Sequence, residues 1–246
     1  MDKISIKGQR QLSGEVKISG AKNACLTLMP LSILSQETLE LTNVPNLSDI
    51  ITMQTLLRSL GSSIRYNPEK SSLKLITKNI TNCTADYEIV RKMRASILVL
   101  GPLLARMGKA SVSLPGGCAI GARPVDLHLF GLEKLGAKLK LKDGYIIGNV
   151  RGRLKGTKIK FPFVSVGATE NVILAATKAK GVTVIENCAV EPEIKDLINF
   201  IKKLGVKIKI KGRKITIVGS IKEKKITKKI ICDRIELGTY LISGAL

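Results

Sequence analysis

Leu132-Glu133-Lys134-Leu135-Gly136-Ala137 reads as the last turn of a helix, a glycine stop and the first residue of a strand. The same ending recurs at Leu56-Leu57-Arg58-Ser59-Leu60-Gly61-Ser62 and at Phe200-Ile201-Lys202-Lys203-Leu204-Gly205-Val206. An apolar stripe at helical spacing precedes each, and ahead of that lies a polar turn with proline: Asn43-Val44-Pro45-Asn46, Ala122-Arg123-Pro124 and Val190-Glu191-Pro192-Glu193. Proline lacks the N–H that a first helical turn leaves unused, and glycine accepts the left-handed conformation that closes a last turn. After each glycine the apolar residues alternate, as in Lys138-Leu139-Lys140-Leu141, which is the pattern of a half-buried strand. The chain therefore repeats a module of about 70 residues three times.

Further helices are predicted over residues 22–34, 89–107 and 168–179, the last stopped by Gly181. Each module then holds strands and two helices, an α/β (α+β) organisation whose period is too long for a solenoid. Three such units around a pseudo-threefold axis would form one compact domain. Two flanks fit it poorly. Residues 1–21 are expected to form a strand-turn-strand hairpin, and residues 226–246 a strand, the polar turn Cys232-Asp233-Arg234 and the start of an apolar helix. That helix stops in mid-pattern, so the expectation is that sequence is missing beyond it; a tail that docks locally is the alternative.

With 246 residues the chain is long enough to bury a full core, and with 3% aromatic residues that core is aliphatic. The absence of Trp argues against stacking on nucleobases. A net charge of +22 attracts anions, but the lysines of Lys207-Ile208-Lys209-Ile210-Lys211 alternate with Ile as on the wet face of a strand. Five cysteines with no C-x-x-C spacing indicate a reduced, cytoplasmic protein. The longest apolar run, residues 95–105, is too short to span a bilayer. A single histidine, His128, makes a histidine-based metal site or a Ser-His-Asp triad hard to build.

Four stretches carry candidate chemistry. Leu114-Pro115-Gly116-Gly117-Cys118-Ala119-Ile120-Gly121-Ala122-Arg123-Pro124-Val125-Asp126 puts Cys118 in a glycine-rich loop, with Arg123 at the mouth of a helix. A guanidinium and a helix N-terminus can share one phosphate there; an incidental thiol on an ordinary loop is the other reading. Ser19-Gly20-Ala21-Lys22-Asn23-Ala24 delivers Lys22 and Asn23 to a second helix start. Arg94 lies on an otherwise apolar helix, where a guanidinium must pair or bind something. Val164-Ser165-Val166-Gly167-Ala168-Thr169 offers a third helix start, with structural capping by Ser165 or Thr169 as the plain alternative. His128 follows the cysteine loop, as a working or a structural histidine.

These stretches, with Met93-Arg94-Ala95-Ser96, Ser165-Val166-Gly167-Ala168-Thr169-Glu170-Asn171 and Cys232-Asp233-Arg234-Ile235-Glu236, resemble the UDP-N-acetylglucosamine 1-carboxyvinyltransferase family, the MurA-type enolpyruvyl transferases. The motifs occur in the same order along the whole chain. The resemblance implies an EPSP synthase/MurA-like inverse α/β barrel, in which each of two domains is built of three βαβαββ repeats. On it, residues 22–230 form the three-repeat domain carrying the cysteine loop. Residues 1–21 are a hairpin of the second domain, and residues 231–246 are its truncated start. It implies transfer of the enolpyruvyl group of phosphoenolpyruvate to the 3-hydroxyl of UDP-N-acetylglucosamine, with release of phosphate. That is the first committed step of peptidoglycan biosynthesis, cytoplasmic, with no cofactor, no metal, no membrane and no specific nucleic acid.

Carried over residue by residue, Cys118 is implied as proton donor to the methylene carbon of phosphoenolpyruvate and as the thiol that fosfomycin alkylates. Lys22, Asn23 and Arg123 are implied to hold phosphoenolpyruvate. Arg94, Arg123, Pro124, Val125, Asp126, Leu127, Val164, Ser165, Val166 and Gly167 are implied to hold the nucleotide sugar. Phe163 stands where many relatives carry lysine. Longer family members are implied to carry, beyond the stretch matched here, the aspartate that deprotonates the sugar hydroxyl and arginines that close over phosphoenolpyruvate. A catalytically dead fragment, or half of a split enzyme completed by a second polypeptide, is the alternative.

Overall fold

The computed structural model describes residues 13–115 and 125–245, together with residues 3, 5, 7 and 8. A first unit comprises α1 (Lys22–Leu28), β1 (Leu39–Thr42), α2 (Ser48–Ser59), β2 (Ser63–Asn67) and β3 (Ser72–Ile76). A second comprises β4 (Thr84–Ala85), α3 (Tyr87–Val90), α4 (Leu100–Met107), β5 (Lys109–Ser113), α5 (Asp126–Lys134), β6 (Ala137–Lys142) and β7 (Tyr145–Val150). The third holds β8 (Lys158–Lys160), α6 (Val166–Ala176), β9 (Val182–Glu186), α7 (Pro192–Lys203), β10 (Lys207–Lys211) and β11 (Lys214–Val218). β12 (Ile226–Lys229) and α8 (Arg234–Ala245) follow.

The three sheets are built alike. β4 and β8 each lie parallel to the next strand of their unit, β5 and β9, and two antiparallel strands complete the orders β4-β5-β7-β6 and β8-β9-β11-β10. In the first sheet the parallel place is taken by β12, which sets Ile226 opposite Leu39 and Lys229 opposite Thr42. Each unit is thus a βαβαββ repeat, and the first is completed by a strand from the far end of the chain. The repeated glycines Gly61, Gly136 and Gly205 have φ of 110°, 96° and 83°, a backbone that side chains other than glycine rarely adopt. The strands that follow them present their lysines to solvent, Lys138, Lys140 and Lys142 on β6 and Lys207, Lys209 and Lys211 on β10.

Helices fill the interior. α6 is buried from Ala168 to Ala176 and packs on α4 and α5. An all-round buried helix has to satisfy every polar group it carries, and α6 carries Thr169, Glu170 and Asn171.

Three predicted helices are shorter or broken. Residues 22–34 split into α1 and a 3₁₀ turn, Met29–Leu34, because Pro30 supplies no N–H to continue the α pattern. Residues 89–107 split into α3, a 3₁₀ turn Arg94–Val99 and α4, with Met93 extended at φ −151° and ψ 118°. Pro102 requires this restart, since only within a first turn is its missing N–H harmless. The helix expected over 168–179 runs Val166–Ala176, starting at the Ser165 cap. Of the hairpin expected over residues 1–21, residues 13–19 carry no strand, and residues 1, 2, 4, 6 and 9–12 lie outside the described residues. Residues 13–17 are exposed and pair with no strand among the described residues, and Gly20 makes an isolated antiparallel bridge to Cys232. Among the described residues no helix is long and apolar enough to cross a membrane.

Candidate functional site

Lys22 is the first residue of α1, where the helix dipole and an ammonium share one place. Its Nζ lies 2.9 Å from Asp49 Oδ2, near the start of α2, and its backbone N–H donates to Asp233 Oδ2 over 3.3 Å. Asp233 also accepts from the N–H groups of Ile235 and Glu236, at 2.8 and 3.2 Å, and so caps α8. Asn23 beside Lys22 is exposed. Behind it, the Thr27 hydroxyl donates to Glu170 Oε1 at 2.8 Å, tying α1 to α6.

A second gathering joins three element starts. Ser165 Oγ accepts from the Ala168 N–H at 3.3 Å, capping α6. Thr169 donates to the Ser165 carbonyl at 2.7 Å and accepts the Ala189 N–H at 3.1 Å, so its hydroxyl is committed to structure. Gly167 in the first turn of α6 faces His128 of α5. A β-carbon there would stand 3.0 Å from His128 Cε1 and 3.1 Å from Nε2, so only glycine lets the ring approach. Burial depresses His128 to about 4, and the nearby Arg94 guanidinium adds to the effect; the ring is neutral. Arg94 opens the 3₁₀ turn, Val125 and Leu127 are buried at the start of α5, and Val164 and Val166 are exposed beside Ser165. Phe163, 60% exposed, extends this apolar rim.

Of the residues singled out in the sequence, Arg94, Val125 to Leu127 and Val164 to Gly167 thus belong to one set of neighbouring starts around His128. Lys22 and Asn23 form another around Asp49 and Asp233. Cys118, Arg123 and Pro124 lie outside the described residues. Among the remaining thiols, burial pushes Cys25 up to about 12 and also raises Cys83 and Cys188, which disfavours thiolate at each. No group of three His, Cys, Asp or Glu that could hold a metal occurs among the described residues.

The sequence reading gave no individual role to Asp49, Glu170, Asn171 or Glu193. Glu170 and Asn171 are wholly inside, and Glu193 Oε1 pairs with Arg234 Nε at 3.1 Å. Asn171 joins three elements: Oδ1 accepts the Gly101 N–H at 2.9 Å, and Nδ2 donates to the Ile97 carbonyl at 3.0 Å and lies 3.2 Å from His128 Nδ1. The available signal was a pair of polar residues inside an otherwise apolar helix.

A sequence profile of the family described as EPSP synthase (3-phosphoshikimate 1-carboxyvinyltransferase) matches residues 6–246. The UDP-N-acetylglucosamine 1-carboxyvinyltransferase of Dinoroseobacter shibae is 58% identical over 247 residues, which are 100% of this chain and 58% of that protein. The Rickettsia akari protein of the same name is 54% identical over 249 residues, 100% of this chain and 59% of that one. The chain thus spans less than two thirds of the length of these curated relatives. Among solved structures, the enolpyruvyl transferase NikO from Streptomyces tendae superposes with a TM-score of 0.86 at 19% identity, covering 96% of this chain and 56% of that one. EPSP synthase from Acinetobacter baumannii superposes with a TM-score of 0.74 at 18% identity, over 93% and 52%. These two likenesses concern the fold.

Proposed function

Because the chain belongs to the EPSP synthase family, we propose that it works as a UDP-N-acetylglucosamine 1-carboxyvinyltransferase, a cytoplasmic enzyme of peptidoglycan synthesis. Its substrates are phosphoenolpyruvate and UDP-N-acetylglucosamine. The observation that carries this reading is the meeting of the Arg94, Val125 to His128 and Ser165 to Gly167 starts at one place. That place directly follows, in sequence, the loop with Cys118 and Arg123. A buried neutral donor, a guanidinium and a capped helix start suit a diphosphate, and the exposed valines suit the apolar parts of a nucleotide sugar.

The reaction needs no oxidant. Cys118 gives a proton to the methylene carbon of phosphoenolpyruvate, the adjacent carbon becomes electrophilic, and the 3-hydroxyl oxygen of the sugar bonds to it as its proton passes to the aspartate implied for longer family members. The carbon–oxygen bond to phosphate then breaks, and loss of a proton from the new methyl group restores the double bond. Lys22, Asn23 and Arg123 disperse the charge of phosphoenolpyruvate, and Arg94, Arg123 to Leu127 and Val164 to Gly167 hold the nucleotide sugar.

The test is direct. Phosphate release from phosphoenolpyruvate is measured with UDP-N-acetylglucosamine and, in parallel, with shikimate 3-phosphate as acceptor, and nucleotide-sugar binding is measured by calorimetry. Binding of UDP-N-acetylglucosamine is expected, with turnover once the aspartate and arginines implied for longer family members beyond the matched stretch are supplied. Binding without turnover would favour a fragment needing a second polypeptide, and turnover with shikimate 3-phosphate would replace the substrate assignment. Fosfomycin should add to Cys118, more quickly with the nucleotide sugar present; peptide mass spectrometry that finds the adduct on Cys83 or Cys232 instead would reject Cys118 as the reactive thiol.

A further inference from the structure

Asn171 is held in one orientation by partners that allow no choice. A backbone N–H can only donate and a carbonyl can only accept. The atom facing Gly101 N–H must therefore be the amide oxygen, and the atom facing the Ile97 carbonyl must be the amide nitrogen. Exchanging the two would set donor against donor and acceptor against acceptor inside a fully buried site. The β-carbon position of Gly101 lies 2.4 Å from Asn171 Oδ1, so this contact also requires glycine on α4.

The second proton of the Asn171 amide then faces His128 Nδ1 at 3.2 Å. Two N–H groups cannot face each other there, so Nδ1 accepts and the ring proton sits on Nε2. Among the described residues Nε2 has no hydrogen-bond acceptor, and its edge is the one against Gly167, in the first turn of the eleven-residue α6. The ring is 6% exposed. A buried neutral donor thus points at a helix start that Arg94 also neighbours.

We propose that Asn171, besides satisfying the Gly101 N–H and the Ile97 carbonyl, is a positioning residue: it fixes His128 as the Nε2–H tautomer, so that a rigid neutral donor meets a phosphate at the Ser165 to Gly167 turn. The inference rests on the nucleotide-sugar reading above for the identity of the phosphate. The tautomer itself stands independently of it.

His128 is the one histidine of the chain, which makes the measurement unambiguous. In ¹⁵N-histidine-labelled protein, long-range ¹H–¹⁵N spectra should show an unprotonated Nδ1 and a protonated Nε2. In Asn171→Asp, whose carboxylate accepts from Nδ1–H, the neutral ring should change to the Nδ1–H tautomer, which leaves Nε2 with no proton to donate. UDP affinity should fall about tenfold or more in that variant, as for a lost hydrogen bond to a charged group. Should Asn171→Asp fail to fold, His128→Phe and His128→Gln decide the second half. The first removes the donor and should bind UDP about tenfold more weakly, while the second keeps an amide donor near the same place and should recover much of the affinity. An Nδ1–H tautomer in the parent protein, or equal UDP affinity in the parent, His128→Phe and Asn171→Asp, overturns the proposal. A parent protein that binds no UDP refutes the functional reading instead. Pyrophosphate is then titrated while the His128 ring signals are followed: a shift at Nε2 supports the positioned donor, and no shift removes it.

Discussion

Glu170 is wholly buried, and burial raises its carboxyl to about 8, against the pull of the Thr27 hydroxyl and with further upward pressure from Glu193 and Glu191. In the unfolded chain the same group titrates near 4.5. Between these values the folded protein keeps a proton that the unfolded chain has released. The contribution of Glu170 is therefore fully present below about 4.5 and is lost as the pH rises through about 8. Glu170→Gln keeps the shape and an acceptor for Thr27 but cannot ionise. Its melting temperature should exceed that of the parent above pH 8, with the gap closing as the pH falls toward 4.5; parallel profiles would show that Glu170 is not a buried acid. At this scale the sequence was only partly informative. Lys22 and Ser165 announced themselves by standing at helix starts and Arg94 by its charge on an otherwise apolar helix, whereas no role was read for Glu170 and Asn171. Their burial depends on α4, α5 and α1 packing around α6 from elsewhere in the chain, and no local pattern records that.

Between elements, Arg106 at the end of α4 links the second unit to the first. Its guanidinium donates to the carbonyls of Ile33 at 2.8 Å, Ser35 at 3.4 Å, Thr77 at 2.8 Å and Lys78 at 2.6 Å. These oxygens end the 3₁₀ turn Met29–Leu34 and follow β3, and such terminal carbonyls lack partners of their own. Arg106→Met should lower stability by about 2–4 kcal/mol, because several partly buried carbonyls lose a charged donor together. Arg106→Lys should recover little, since a compact ammonium cannot span four acceptors. Urea unfolding with an unchanged m-value checks this; a midpoint equal to the parent's would show that water replaces the guanidinium without loss. The elements themselves were legible where their signals are local. The glycine stops, the Pro192 start of α7 and the alternating strands β6 and β10 follow the reading closely. Where Pro30 and Pro102 interrupt long apolar stretches, hydrophobic period alone suggested one helix, while the missing N–H divided each into shorter pieces.

At the scale of the whole molecule, the threefold repeat could be read from the sequence, but the manner of its closure could not. Pairing between β12 and β1 joins residues far apart in the chain, and β12 carries two lysines, Lys228 and Lys229. One of them is different. Lys228 Nζ pairs with Asp196 Oδ1 of α7, and the two side chains are 14% and 7% exposed, so the pair fastens the closing strand of the first unit to the third. Among the described residues Asp196 Oδ2 has no hydrogen-bond partner, so the carboxylate depends on that ammonium. Removing one member of a buried ion pair strands the other's charge, and replacing both by apolar groups does not. Lys228→Met is therefore expected to destabilise the fold by about 3–5 kcal/mol, while Lys228→Met with Asp196→Leu should lose far less. A double-mutant cycle by equilibrium unfolding isolates the coupling, and hydrogen exchange should find β1 and β12 opening first in the single variant. If the double variant is as unstable as the single ones added together, the pair is incidental, and closure rests on the backbone pairing of β12 with β1 and the apolar contacts of Ile226 and Ile230.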